Sequence, residues 1–157
     1  MRYFEDLSVG EETIFEDEYL VTEDEIIEVG TRWDPQPFHI DPVAAKKSIF
    51  GGLVASSAHI FSIYVCIGNA DVDKDKNFAA VTALGFDNLQ WHAPVRPGDT
   101  LRNRFVITGI RESRSRPRMG IVTTRARLIN QNDETVFTIE GSCLVERRPT
   151  TGREANE

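Results

Sequence analysis

The run SSAHIFSIYVCIGN, Ser56 to Asn69, decides how this chain folds. Ala58, Ile60, Phe61, Ile63, Tyr64, Val65, Cys66 and Ile67 leave almost no polar side, so no amphipathic stripe is visible. The β-branched content would also suit a strand. Two features favour a helix: the run outlasts an ordinary strand, and the Ser56-Ser57 pair supplies side chains of the type that cap a helix N-terminus. A helix that is apolar on every side is surrounded by protein rather than lying on a surface. The rest of the chain must therefore supply its covering.

Downstream, the period changes from helical to two. Leu89 and Trp91 alternate with Gln90 and His92, and PVRPGD makes a turn. Leu101, Phe105 and Ile107 share one parity. After the basic connection Arg111 to Arg118, Val122, Thr124, Ala126 and Leu128 alternate with Thr123, Arg125 and Arg127. NQND turns the chain, and Phe137, Ile139, Gly141, Cys143 and Val145 alternate with Thr138, Glu140 and Ser142. Alternation joined by short turns specifies an antiparallel sheet with one buried face. The fold class is α+β, a curved antiparallel sheet wrapped around one long central helix. A single sheet leaves edges, and pairing two of them removes that liability, so a homodimer or higher homo-oligomer is expected.

Upstream, Glu12 to Val21 reads as an irregular strand. Thr22-Glu23-Asp24-Glu25 has the form of a capping box, with Glu25 reaching back to the cap, and opens a helix carrying Ile26, Val29 and Trp33 on one face. Pro35 and Pro37 end it and hold Asp34 and His39 on a constrained, non-helical loop. Asp41-Pro42 then opens a short helix through Lys47, broken at Phe50-Gly51-Gly52. Asp71 to Lys76 reads as a solvated loop, and residues 149–157 as a polar, disordered tail after one domain over 1–148.

Composition narrows the function. A net charge of −7 on 157 residues argues against nucleic acid or an anionic membrane as the main partner, which would need a basic face. No apolar run is long enough to span a bilayer. MRYFEDLSVGEE lacks the basic start and apolar run of a secretory signal, and Cys66 and Cys143 read as two buried thiols, so the cytoplasm is the expected compartment. No third His or Cys joins His39 and Asp41 at metal spacing, and no Gly-x-Ser-x-Gly elbow, Gly-x-Gly-x-x-Gly or P-loop occurs. His59 and His92 read as structural.

Chemistry concentrates between Trp33 and Ser57. A carboxylate at Asp34 and an imidazole at His39, five residues apart on a proline-stiffened loop, can hold one water between them and move its proton. The free amides that begin the helix near Ser56 and Ser57 offer a place for developing negative charge. The alternative is a turn-capping aspartate and a satisfied histidine.

Asp34-Pro35-Gln36-Pro37-Phe38-His39 resembles the hydratase motif, usually Asp-x-Asn-Pro-Leu-His, of the MaoC-like (R)-specific enoyl-thioester hydratases and dehydratases. The resemblance runs on through PVRPGDTL and SRPRMG, covering about Glu12 to Arg147. It implies a dimeric hot-dog fold, a long helix wrapped by an antiparallel sheet. It also implies reversible addition of water to a trans-2-enoyl thioester, of coenzyme A or an acyl carrier, with coenzyme A as part of the substrate and no separate cofactor. Asp34 and His39 become the water-handling dyad. The oxyanion donor, in the family the backbone amide of a glycine eighteen residues after the histidine, falls on Ser57. Gln36 stands for the usual asparagine and Trp33 for a small residue. Trp33, Phe38 and Phe50 suggest a limited apolar pocket, and Arg111, Arg114, Arg116 and Arg118, or Lys46 and Lys47, are candidates to meet the phosphates of coenzyme A. A hot-dog thioesterase and a non-catalytic acyl-thioester-binding subunit are the alternatives. The first commonly carries an acid on the central helix, and Leu53 to Ala70 has none.

Overall fold

The computed structural model describes residues 1–15, 17–69 and 77–149. The loop expected over Asp71 to Lys76 and the tail beyond Pro149 lie outside them. After a single 3-10 turn, Phe4–Asp6, come two short strands, β1 (Glu12–Ile14) and β2 (Tyr19–Leu20), in place of the one irregular strand expected. Four helices follow: α1 (Glu23–Trp33), α2 (Pro37–Ile40), α3 (Pro42–Lys46) and α4 (Ser57–Asn69). The chain closes with β3 (Ala80–Trp91), β4 (Thr100–Glu112), β5 (Met119–Ile129) and β6 (Thr135–Glu146).

The described strands form one six-stranded antiparallel sheet in the order β1-β4-β5-β6-β3, with β2 also on β4. Leu128 faces Phe137 and Ala126 faces Ile139 across β5 and β6, so the alternating residues meet on one face. Ile60, Ile63 and Ile67 of α4, spaced to share a side, pack there with Leu101, Ala126, Leu128, Phe137 and Ile139. Beyond the end of α4, the N-terminal segment continues the covering: Leu7, with Tyr3 and Phe4, packs on Ile107, Val122 and Val145. The Phe4 ring lies where any Cβ on residue 120 would sit, so Gly120 is the residue that lets it down onto β5.

Ser56 caps α4, its Oγ accepting from the His59 amide at 3.2 Å, and its carbonyl accepts the first helical bond, from Ile60. The sheet shields one flank of α4 and α1 packs along part of another, but Ser57, Ala58, Ser62, Val65 and Cys66 are exposed. The expectation of a helix enclosed on all sides is thus corrected. Cys66 is not a buried thiol either, and Cys143 is half-buried, its thiol pushed up by burial.

The cap of α1 departs from the reading as well. Thr22 Oγ1 accepts from the Glu25 amide at 3.3 Å. The Glu25 carboxylate does not complete the box; it accepts from the Tyr19 hydroxyl and faces His59 on α4. Asp41 behaves as expected, taking the amides of Val43 and Ala44 at 2.8 and 3.1 Å with Pro42 as first residue of α3.

Candidate active site

Asp34 ends α1, its amide still bonded to the Gly30 carbonyl at 2.9 Å. Pro35 cannot continue the helix. Pro37, whose fixed φ suits a first helical position, starts α2, so His39 stands on one helical turn rather than on the non-helical loop expected. Gly30 makes the close packing of α2 on α1 feasible. A Cβ there would come within 2.9 Å of both the Cβ and the carbonyl oxygen of His39.

His39 is buried, and its Nδ1 lies 2.6 Å from the Val54 carbonyl oxygen. A carbonyl only accepts, so Nδ1 carries the proton and Nε2 of the neutral ring is left with its lone pair. That nitrogen is 3.5 Å from Oδ2 of the partly exposed Asp34 carboxylate. Two acceptors so placed are suited to one water, which can donate an O–H to each.

The third component comes from the segment before α4. Val54 donates its amide to the Phe38 carbonyl at 3.1 Å and Ala55 to that of Val95 at 2.8 Å, which clamps the approach to the helix between α2 and the β3–β4 connection. Ser57 follows as the first residue of α4, and no described residue accepts its N–H. Asp34, His39 and Ser57 line one cavity of about 600 Å³, whose apolar wall is Phe38, Phe50, Ile60 and Trp91. The rings of Phe38 and Phe50 are 5.2 Å apart, and Trp91 is backed by Phe137 at 5.5 Å. Three residues proposed from sequence are therefore brought together.

Other candidates divide. His92, read as a structural strand residue, lies just past β3, lines the cavity, and bonds Thr138 Oγ1 at 2.8 Å. Lys46 and Lys47 are exposed at the end of α3, on the segment that leads to Phe50. Trp33 faces away from the dyad into a different cavity, shared with Tyr19 and His59. Arg111 closes β4, and Arg114, Arg116 and Arg118 lie on its connection to β5, where Glu112 pairs with Gly120; the candidate cavity lies at the opposite end of the sheet, beside Trp91 and Phe137. Eleven residues of β5 separate the two ends, about 33 Å. Those arginines do not rim this cavity. Among the described residues no three His, Cys, Asp or Glu side chains gather closely enough to hold a metal. Sequence reasoning missed Gly30 and the Val54 carbonyl. A glycine in the middle of a helical pattern was the signal for the first, whereas a main-chain acceptor leaves none.

The profile of the MaoC like domain matches residues 6–129. The chain belongs to the MaoC-like dehydratase family. The MaoC-like dehydratase from Rhodospirillum rubrum superposes with a TM-score of 0.84 at 33% identity, covering 95% of this chain and 99% of that one. The (R)-hydratase from A. caviae involved in PHA biosynthesis shares the fold, with a TM-score of 0.63 at 19% identity over 90% of this chain and 98% of that one. The architecture is thus the hot-dog fold. Mesaconyl-CoA hydratase of Cereibacter sphaeroides is 37% identical over 76 residues, 48% of this chain but only 22% of that protein's length. YdeM of Bacillus subtilis is 28% identical over 81% of this MaoC-like chain and 87% of its own.

Proposed function

We propose that this MaoC-like protein adds water reversibly to a trans-2-enoyl thioester, or removes it from the 3-hydroxyacyl thioester. The observation that carries the reading is the His39 Nδ1 contact to Val54, which turns the basic Nε2 toward Asp34 in a cavity that the Ser57 residue also lines. A substrate carbonyl at the Ser57 amide is polarised, and the bound water stands between Asp34 and His39. Its oxygen bonds to C3 while one of the two groups takes a proton. The π pair of C2=C3 shifts between C1 and C2 and the carbonyl π pair moves onto the thioester carbonyl oxygen, giving an enolate that the amide stabilises. Return of that proton to C2 restores the base and balances the addition. Because one dyad handles both steps, OH and H add to the same face.

Relatives favour a coenzyme A thioester, since one of them is a mesaconyl-CoA hydratase. Coenzyme A then belongs to the substrate, an acyl carrier thioester being the other form, and Lys46 and Lys47 remain candidates for its phosphates. A second copy pairing along β3 belongs to this reading: the β3 edge is open and Val81, Leu84 and Phe86 on it are exposed. A protomer mass in solution would remove that part. No helix among the described residues is long and apolar enough to cross a membrane, and a cytoplasmic location is part of the proposal.

The test is loss of enone absorbance when an enoyl-CoA is added. Asp34→Ala and His39→Ala are each expected to lower the rate by about 10²–10⁴-fold. Full activity in both variants would overturn the assignment of the dyad, and release of free thiol would point instead to a thioesterase.

A further inference from the structure

Phe50, one wall of the cavity that holds Asp34, His39 and Ser57, stands on a segment that buries little of itself. Between α3 and Leu53 the chain runs Lys47-Ser48-Ile49-Phe50-Gly51-Gly52, with Ile49 96% exposed and Phe50 half-buried. Its internal bonds close a turn on the end of α3. The Ser48 hydroxyl donates to the Ala45 carbonyl at 2.6 Å, its oxygen accepts from the Phe50 amide at 3.2 Å, and the Ser48 carbonyl accepts from the Gly51 amide at 3.1 Å. Gly51 takes a φ of +66°, which glycine adopts without strain, and a second glycine follows. Such a turn fixes its own shape but not its place over the cavity.

Arg96 supplies the tie to the sheet. Its Nη2 donates to the Phe50 carbonyl at 2.7 Å, a charge-assisted and directional bond. Arg96 is itself held firmly on the β3–β4 connection. Its amide donates to Asp99 Oδ2 at 2.8 Å, the Asp99 amide returns to the Arg96 carbonyl at 3.1 Å, and Gln131 Nε2, from the β5–β6 turn, donates to Asp99 Oδ1 at 2.9 Å. The preceding residue, Val95, accepts the Ala55 amide at 2.8 Å. Two consecutive residues of one sheet connection thus grip both the approach to Ser57 and the turn that carries Phe50.

We propose that Arg96 is a positioning residue of the hydration site, which by holding the Phe50 carbonyl keeps the Phe50 ring in place as a wall against the bound acyl thioester. The proposal rests on the enoyl-thioester reading and adds to it what fixes the cavity's shape. Phe38 stands edge-on to His39 at 4.6 Å between ring centres, and Phe50 lies next at 5.2 Å from Phe38, so the wall that Arg96 secures continues outward from the dyad's imidazole. Without that bond the glycines let the turn swing away, and the substrate loses apolar surface while Asp34 and His39 keep their spacing.

Wild type, Arg96→Met, Phe50→Ala and the double variant are compared by calorimetry with butanoyl-CoA, which has no C2=C3 bond to hydrate, and by initial rates with trans-2-butenoyl-CoA. Each single variant is expected to bind butanoyl-CoA about tenfold more weakly than wild type, the loss of one aromatic contact. The double variant should bind no more weakly than Phe50→Ala, because Arg96 acts through that ring. In Arg96→Met the KM for butenoyl-CoA should rise in parallel, with kcat within about threefold of wild type. An arginine needed only for folding would instead lower the melting midpoint and the active fraction, and so kcat at unchanged KM. That pattern, unchanged binding in folded Arg96→Met, or additive losses in the double variant would overturn the proposal. If Arg96→Met does not fold, Arg96→Gln, polar but too short to reach Phe50, decides by the same measures. Wild type that binds butanoyl-CoA yet hydrates nothing would sink the hydratase reading alone, with Arg96 judged on the binding results; wild type that binds no acyl-CoA would overturn both.

Discussion

Val54 enters the proposed chemistry through its carbonyl alone: by accepting from His39 Nδ1 it selects the tautomer whose other nitrogen faces Asp34. Ser57 likewise acts through its main chain, so replacing its side chain is a weak probe of its role. Proline is a sharper one. It is tolerated at the first helical position, Ser56 keeps the cap, and only the N–H is lost. Ser57→Pro is expected to keep the wild-type melting midpoint and to lower kcat by about 10²–10³-fold, whereas Ser57→Gly, which retains the amide, should turn over near the wild-type rate. Equal rates in the proline and glycine variants would remove the amide from the mechanism.

Among the elements, the contact between α1 and α2 sets the spacing of Asp34 and His39, and at Gly30 it is too close for a Cβ. Gly30→Ala leaves α1 a better helix former but pushes a methyl against His39, so a loss of about 1–3 kcal/mol is expected despite the propensity gain. Displacing His39 by as little as about 1 Å should cost roughly a hundredfold in rate, measured against the melting shift. Elements were legible in the sequence where burial is one-sided and local. Leu101 to Ile107, Val122 to Leu128 and Phe137 to Val145 alternate because α4 or the N-terminal turn covers a single face. The first half of β3 escaped notice because Val81 and Leu84 are exposed and irregular register at Ala80/Thr82 and Ala83/Gly85 breaks any period. The open side of α4 was misread because apolar composition says that cover is favoured, not which part of the chain supplies it. Glu25 escaped because Tyr19 on β2 and His59 on α4, both on other elements, outcompete the local cap. The nearness of Asp34 and His39, by contrast, was legible in one hexapeptide, since two prolines constrain the chain between them.

Across the whole molecule, the N-terminal turn closes the end of the sheet remote from the candidate site and is tied down by charge. Glu5 accepts from Arg147 Nε and from the Arg148 amide, each at 2.9 Å, and these bonds, the Arg148 amide foremost, hold its carboxyl down at about 2. Unfolded, the same carboxyl binds its proton near the ordinary value of about 4.3, so between these values the unfolded chain holds more protons. The stability that Glu5 contributes is therefore fully present above the ordinary value and fades as pH falls toward about 2. Glu5→Gln should melt lower than wild type near neutrality and converge with it on acidification, as followed by circular dichroism; a gap that stays constant with pH would disprove the linkage. The turn is far from the dyad, so this variant is expected to hydrate its substrate at the wild-type rate.

The central claim is that one dyad adds water across a trans-2-enoyl thioester from one side. Its most direct measurement is the proton spectrum of the product formed from an enoyl-CoA in D₂O. A 3-hydroxyacyl-CoA carrying one deuterium at C2, on the same face as the new hydroxyl, and no product with Asp34→Ala, is the predicted result; deuterium on the opposite face, or free coenzyme A without a hydroxyacyl product, would contradict it.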